Sequence, residues 1–251
     1  MQGAARWLVP FAAVIGIAWL VLAFGGSVLS LPAFCSADGM RALPLAVSFD
    51  LALISNALPR LAFGWFLMVI AMMLPLAVAP LRHVRERSFA RRQTRSMLLF
   101  VIGFVALWMA AGIVLGLLAW LMEGAVPVPL GVGLAIAIAL VWQISPVKQW
   151  CLNRCHQRPP LSAFGFAADA DAVRFGVKNG AACAGACWAL MLPMLLIGQG
   201  QLVAMIAVTL FSVAESLEKP APLAWRWRGG GKALRVAAAW WVGQIYYLRN
   251  P

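Results

Sequence analysis

Cys183, Cys187 and Met191 stand four residues apart in the run Cys183-Ala184-Gly185-Ala186-Cys187-Trp188-Ala189-Leu190-Met191. On an α-helix, positions i, i+4 and i+8 share one face. Two thiols and a thioether then form a sulfur ladder about 12 Å long, at about 1.5 Å rise per residue. Sulfur ligands select soft metals, above all Cu(I). Cys151 and Cys155 repeat the spacing in Cys151-Leu152-Asn153-Arg154-Cys155. C-x3-C is not the C-x2-C of a zinc knuckle; it sets two ligands on one helical face. Met72 and Met73 precede Pro75, and Met68 shares a face with Met72. Proline has no N–H, so the carbonyl of Ala71 loses its helical donor and is free to bind something else. The candidate ligands are Cys183, Cys187, Met191, Met72 and Met73, with Cys151 and Cys155 as a receiving or donating pair. Each residue type has a plainer use beside this one. Methionine fills irregular apolar space, and two small cysteines on one face suit a tight helix interface.

The elements that must position these residues follow from composition. The chain of 251 residues is 63% hydrophobic and 11% charged, with mean hydropathy +0.88. A soluble domain carries about 25% charged residues. Most side chains here must therefore meet lipid. The expectation is one integral membrane domain over residues 1–251, all-α, a polytopic transmembrane helix bundle of 6–7 spans. A net charge of +12 would suit nucleic acid. The basic residues instead sit between apolar spans, as topology determinants do, so the partner is the bilayer and not nucleic acid.

The spans read as Trp7 to Phe24, Ala62 to Leu81, Ser96 to Met122, Leu130 to about Ile144, Ala181 to Gly198 and Leu202 to Leu217. Arg6 and the first apolar run have the outline of a signal peptide, but the run is longer than a usual h-region and is taken as a retained helix. Asp50 to Arg60 reads as a re-entrant or interfacial lead-in. Ala233 to Leu248 is a short seventh span or an interfacial helix. The loop 82–95 holds Arg82, Arg85, Arg87, Arg91, Arg92 and Arg95. Lys148, Arg154, Arg158, Arg174 and Lys178 lie between spans four and five, and Lys219, Arg226, Arg228, Lys232 and Arg235 follow span six. With six spans all these cations fall on one side. That side is the cytoplasm of a cell inner membrane, and the N-terminus joins it.

Orientation gives the cysteines a compartment. Cys151, Cys155, Cys183 and Cys187 lie at the reducing face, where disulfides are not expected. Cys35 stands alone on the outer side and takes no role. His83 and His156 read as solvated loop residues, His156 being a further candidate ligand through its place after Cys155. Glu215 and Glu218 read as the solvated end of span six, or as carboxylates beside the sulfur ladder. Ala71-Met72-Met73-Leu74-Pro75 is echoed by Ala189-Leu190-Met191-Leu192-Pro193 in a span of opposite direction. That pattern fits a 3+3 inverted repeat with a site between broken helices.

Trp65, then Ala71-Met72-Met73-Leu74-Pro75 and Pro80, resembles the W…AMM-x-P…P signature of the DUF2182 family. Ser145-Pro146-Val147-Lys148 leading to Cys151-Leu152-Asn153-Arg154-Cys155 resembles its SPLK…CLxxC segment. Gly176 to Met191 is similar to its G…HG…C-x-G-C-C-W-x-L-M segment, and Glu218-Lys219 to its terminal EK. The resemblance covers about residues 60–235. It implies a metal-binding integral membrane protein, in some members linked to copper handling. Two positions depart: Ala186 stands where many members have cysteine, and Lys178-Asn179-Gly180 replaces histidine-glycine.

The chain has no GxxxxGK[ST] loop, no HExxH and no GxSxG elbow. Its 2 histidines are too few for a haem-copper or di-iron membrane enzyme, and no acid–base pair stands out, so an enzyme is not expected. The leading expectation is a membrane protein that binds Cu(I) for delivery or transport, with a copper-protein partner. The alternatives are a transporter of another small solute and an accessory subunit of a larger membrane complex. The topology is open to direct test. A reporter fused within 82–95 should behave as cytoplasmic and one fused near Pro127 as external; the reverse result would overturn the compartment assigned to every cysteine.

Overall fold

The computed structural model describes residues 7–24, 57–197, 200–227 and 231. Cys35, residues 50–56 of the lead-in and the stretch 233–248 lie outside them. Within the described residues every regular element is helical. The order is α1 (Leu8–Phe24), α2 (Ala57–Met68), a π-helical turn (Val69–Met73), a 3-10 turn (Leu74–Ala77) and α3 (Val78–Glu86), then α4 (Gln93–Ala125), α5 (Val128–Ile144), α6 (Pro146–Cys155), α7 (Gly165–Leu196) and α8 (Gln201–Ser216).

Three helices are long and apolar enough to cross a membrane: Leu61–Arg87, Gln93–Ala125 and Gly165–Leu196. A fourth arises if α5 and α6, bent by 67° at their junction, are taken as one broken span. Leu8–Phe24 and Gln201–Ser216 are apolar but shorter. Helix α7 begins well before the apolar stretch that starts at Ala181, so Arg174 and Lys178 belong to this helix rather than to a loop.

Prolines shape the breaks. Pro75 cannot donate to Ala71, and the helix widens just ahead of it, with Leu74 N–H bonded back to the Val69 carbonyl. A 3-10 turn then carries the chain into α3. The Ala71 carbonyl is not open to a ligand, as its sequence position suggested: Trp19 Nε1 donates to it at 3.0 Å. Pro193, by contrast, sits inside α7 close to its end. The two proline sites are thus built differently. At the α5–α6 corner, Pro146 holds Ser145 extended (φ −71°, ψ 145°). The Ser145 hydroxyl accepts from Lys148 N–H at 3.1 Å, capping α6. Gly200, at φ 78°, supplies the left-handed turn that starts α8.

Helices α4 and α7 form the centre and run parallel. A Cβ on Gly176 would lie 2.1 Å from the Phe100 carbonyl oxygen, and one on Gly103 2.5 Å from that of Val173. Gly180 meets Phe104 and Leu107 one turn further along both helices. The backbones therefore touch, which only glycine allows. Arg92 and Arg95, at the start of α4, both bind Asp169, at the start of α7, at 2.6 Å. Phe100 packs on Phe104 and Phe175, and His83 meets the edge of Phe175. Helix α2 runs against α4: its Trp65 donates to the Trp108 carbonyl at 2.8 Å, in space left by Gly112.

Larger side chains cannot enter the α4–α7 seam without parting the helices. Gly176→Val should destabilise the protein by about 3 kcal/mol or more, the upper end of overpacking costs. Thermal unfolding of the detergent-solubilised chain checks this; an unchanged midpoint would show that the backbone contact is not tight.

Candidate metal centre

Helix α7 carries Cys183, Cys187 and Met191 on one face, and that face is buried (4%, 3% and 0% exposed). The π turn before Pro75 buries Met72 and Met73 completely. All five belong to one contiguous core, together with Met68, Met194 and Met205. The π turn packs against α4 and α8, and both of these also pack on α7. The two sulfur-bearing segments are thus linked through α4 and α8.

The second cysteine pair lies on α6, alongside α7. A Cβ on Gly185 would fall 2.6 Å from Cys151 Sγ, so the glycine inside C-A-G-A-C is the seat of the Cys151 thiol. Cys151 is buried, and Cys155 less so. Asn179 Nδ2 donates to the Cys155 carbonyl at 3.5 Å. Gly185 also anchors α5, since Trp142 Nε1 donates to its carbonyl at 3.0 Å while the Trp142 ring meets Trp188 edge-on. All four described cysteines are free thiols. Among the described residues, no three His, Cys, Asp or Glu side chains converge into a ready-made cage for an ion.

Helix α8 closes the site with a buried stripe of Met205, Thr209, Ser212 and Glu215. Cys187 Sγ lies 3.9 Å from Ser212 Oγ. One turn further, Glu215 is 1% exposed and so is not the solvated helix end its sequence position suggested. Lys148, read from sequence as a loop cation, is also 1% exposed. Lys148 Nζ donates to both Glu215 oxygens, at 2.9 and 2.7 Å. Gln143 completes the group, accepting from Lys148 and donating to Glu215. The Lys148 ammonium also sits 5.6 Å from the centre of the Phe211 ring. This network lies within electrostatic reach of Cys187.

Isolated, either charge would be strongly penalised in such a place; together they are tolerated. The sequence reading missed Gln143, Lys148, Ser212 and Glu215 as one group. No local signal marked them, since Lys148 and Glu215 lie 67 positions apart and each reads alone as a solvated group. His156 is not simply solvated: its ring nitrogens lie 2.9 Å from the Leu152 carbonyl oxygen and 3.1 Å from that of Ser216. Those contacts tie α6 to α8. Two buried polar groups have no hydrogen-bond partner among the described residues, the Trp108 indole N–H and the Gln149 amide.

The arrangement offers two buried thiols on one face of α7, a third thiol on α6 seated against Gly185 of the same helix α7, and a neutralised charge pair joining α6 to α8. Removing one member of that pair leaves an uncompensated buried charge. Lys148→Met should therefore destabilise the fold by about 3–5 kcal/mol, and Lys148→Met with Glu215→Leu by much less. Denaturation of the single and double variants measures the difference; a double variant worse than the single would show that the pair is not the source of the cost.

No curated protein and no solved structure shows significant similarity to the chain. A family model described as copper chaperone, PpoB2, matches residues 62–241. This is the family that formerly bore the DUF2182 designation. The match spans the break at Pro75, both cysteine pairs and the buried Lys148–Glu215 pair, and the chain belongs to the PpoB2 copper chaperone family.

Proposed function

We propose that this protein is a membrane-embedded carrier that takes up Cu(I) and hands it to a copper-dependent partner. The observation that carries the reading is the buried Cys183–Cys187 face of α7, with a second cysteine pair on the adjoining α6 whose Cys151 packs on Gly185, in a chain of a copper chaperone family. Cu(I) accepts two thiolates in a low-coordinate site and needs no cage of hard ligands. Cys183 and Cys187 are the tight ligands. Met191 on the same face, or Met72 or Met73 across the core, is the weaker third. A thioether holds Cu(I) loosely enough to permit transfer.

Cys151 and Cys155 are the exchange pair. The close seat of Cys151 against α7 suits transfer by thiol-for-thiol substitution, in which the ion is never free. The single domain spans the inner membrane with the N-terminus and the arginine-rich loop in the cytoplasm. Six spans result when the bent α5–α6 element and the two shorter apolar helices are counted with the three long ones. Broken elements at Pro75 and at the α5–α6 corner are tolerated at membrane depth because protein surrounds them.

The test is copper content after anaerobic purification. Cys183→Ser with Cys187→Ser should abolish Cu(I) binding, because a hydroxyl is a poor ligand for a soft ion. Met191→Leu should weaken it and leave the fold intact, since leucine keeps the packing volume. Should the double serine variant bind as much copper as the parent, the sulfur ladder is structural and the reading fails.

A further inference from the structure

Four tryptophans of the described bundle present contrasting indole N–H groups. Trp19, Trp65 and Trp142 each donate to a backbone carbonyl on a neighbouring helix, those of Ala71, Trp108 and Gly185, at 3.0, 2.8 and 3.0 Å. Trp108 does not. It is wholly buried, at 0% exposure, and its Nε1 makes no hydrogen bond within the described residues. A buried donor left unbonded is costly and calls for a reason.

Its position supplies one. The parallel α4–α7 contact sets Phe100 against Gly176, and Phe104 and Leu107 against Gly180. Continued by one turn, that register brings Trp108 level with Cys183 across the seam, with no hydrogen bond closed from the indole. Trp65 fixes this placement twice, through its bond to the Trp108 carbonyl and through ring contact at 6.5 Å between centroids. Trp65 in turn occupies space open only because residue 112 is glycine. A neutral thiol is a weak acceptor; a thiolate holding a metal ion carries negative charge and accepts well.

We propose that Trp108 is a positioning residue whose indole N–H, unbonded in the empty protein, hydrogen-bonds the Cys183 thiolate when Cu(I) is held. The inference rests on the function proposed above. Two thiolates and one Cu(I) leave a net negative site in an apolar core, and a fixed N–H dipole offsets part of that charge without adding a cation. The donor is already in place, so loading requires no rearrangement of α4. The same feature favours an anionic thiolate site over a neutral thioether one. The ion is therefore expected to rest at the cysteines and only pass the methionines.

The experiment uses the full chain in lipid nanodiscs, loaded anaerobically with Cu(I) as its acetonitrile complex. Indole 15N resonances are recorded before and after loading, and affinity is read by competition with bathocuproine disulfonate. The Trp108 indole proton, assigned through Trp108→Phe or, where that variant is unstable, Trp108→Tyr, should move downfield and exchange more slowly on loading. The resonances of Trp19, Trp65 and Trp142, already bonded, should move little. Trp108→Phe should bind Cu(I) at least about tenfold more weakly, the effect of one hydrogen bond to a charged acceptor. A parent protein that binds Cu(I) while its Trp108 resonance moves no more than the other three overturns this inference and leaves the proposed function standing. So does a folded Trp108→Phe variant of unchanged affinity. A parent protein that binds no Cu(I) sinks both.

Discussion

The architecture depends on the direct backbone contact between α4 and α7. Gly103, Gly176 and Gly180 bring the two helices together where any side chain would hold them apart. Glycine seams of this kind hold by close van der Waals packing, the term that remains where apolar helices associate without hydrophobic gain. The contact also sets a register. It brings Asp169 to Arg92 and Arg95 at one end and sets Cys183 level with Trp108 further along. Each of the remaining elements is then placed by what it leans on. Helix α2 rests on α4 through Trp65, and α6 rests on α7 through Cys151 and Gly185.

Indole donors do a second job across this bundle. A helix broken by proline, or one approached closely by a neighbour, leaves carbonyls to be satisfied from outside. Trp19 serves Ala71, whose donor is lost at Pro75, and Trp142 serves Gly185 beside the Cys151 seat. Both carbonyls flank segments that carry candidate sulfur ligands. Each tryptophan therefore couples ordinary backbone satisfaction to the placement of a soft ligand. Trp108, whose N–H is not used in this way, is the exception that the proposed loaded site would explain.

The buried Lys148–Glu215 pair raises a different question, because such pairs seldom add net stability. Its value here is positional. It fastens α6 to α8 and, through Gln143, to the end of α5, around Cys187 and Ser212. The corner at Ser145-Pro146 turns α6 against α5, and Lys148 in its first turn meets that carboxylate. A low-dielectric pair this close also shapes the field at Cys187, and a thiolate-bound cargo would feel it.

Read alone, the sequence determined the helical class, the three long apolar helices and the alignment of the sulfur residues on one helix face. These follow from local periodicity and composition: four-residue spacing of Cys183, Cys187 and Met191 needs only a helix to align them. Proline position was a weaker guide, since the helix breaks at Pro75 but runs on through Pro193. The family resemblance was legible for the same reason, being carried by short contiguous motifs. The partners of those residues were not legible. That the Ala71 carbonyl is taken by Trp19, 52 positions away, or that Lys148 meets Glu215, 67 away, depends on which helix faces lie together. A lysine between spans reads the same whether solvated or buried, and so does a glutamate at a helix end. Only the tertiary structure decides, because the cost of burying either charge depends on whether the other is within reach.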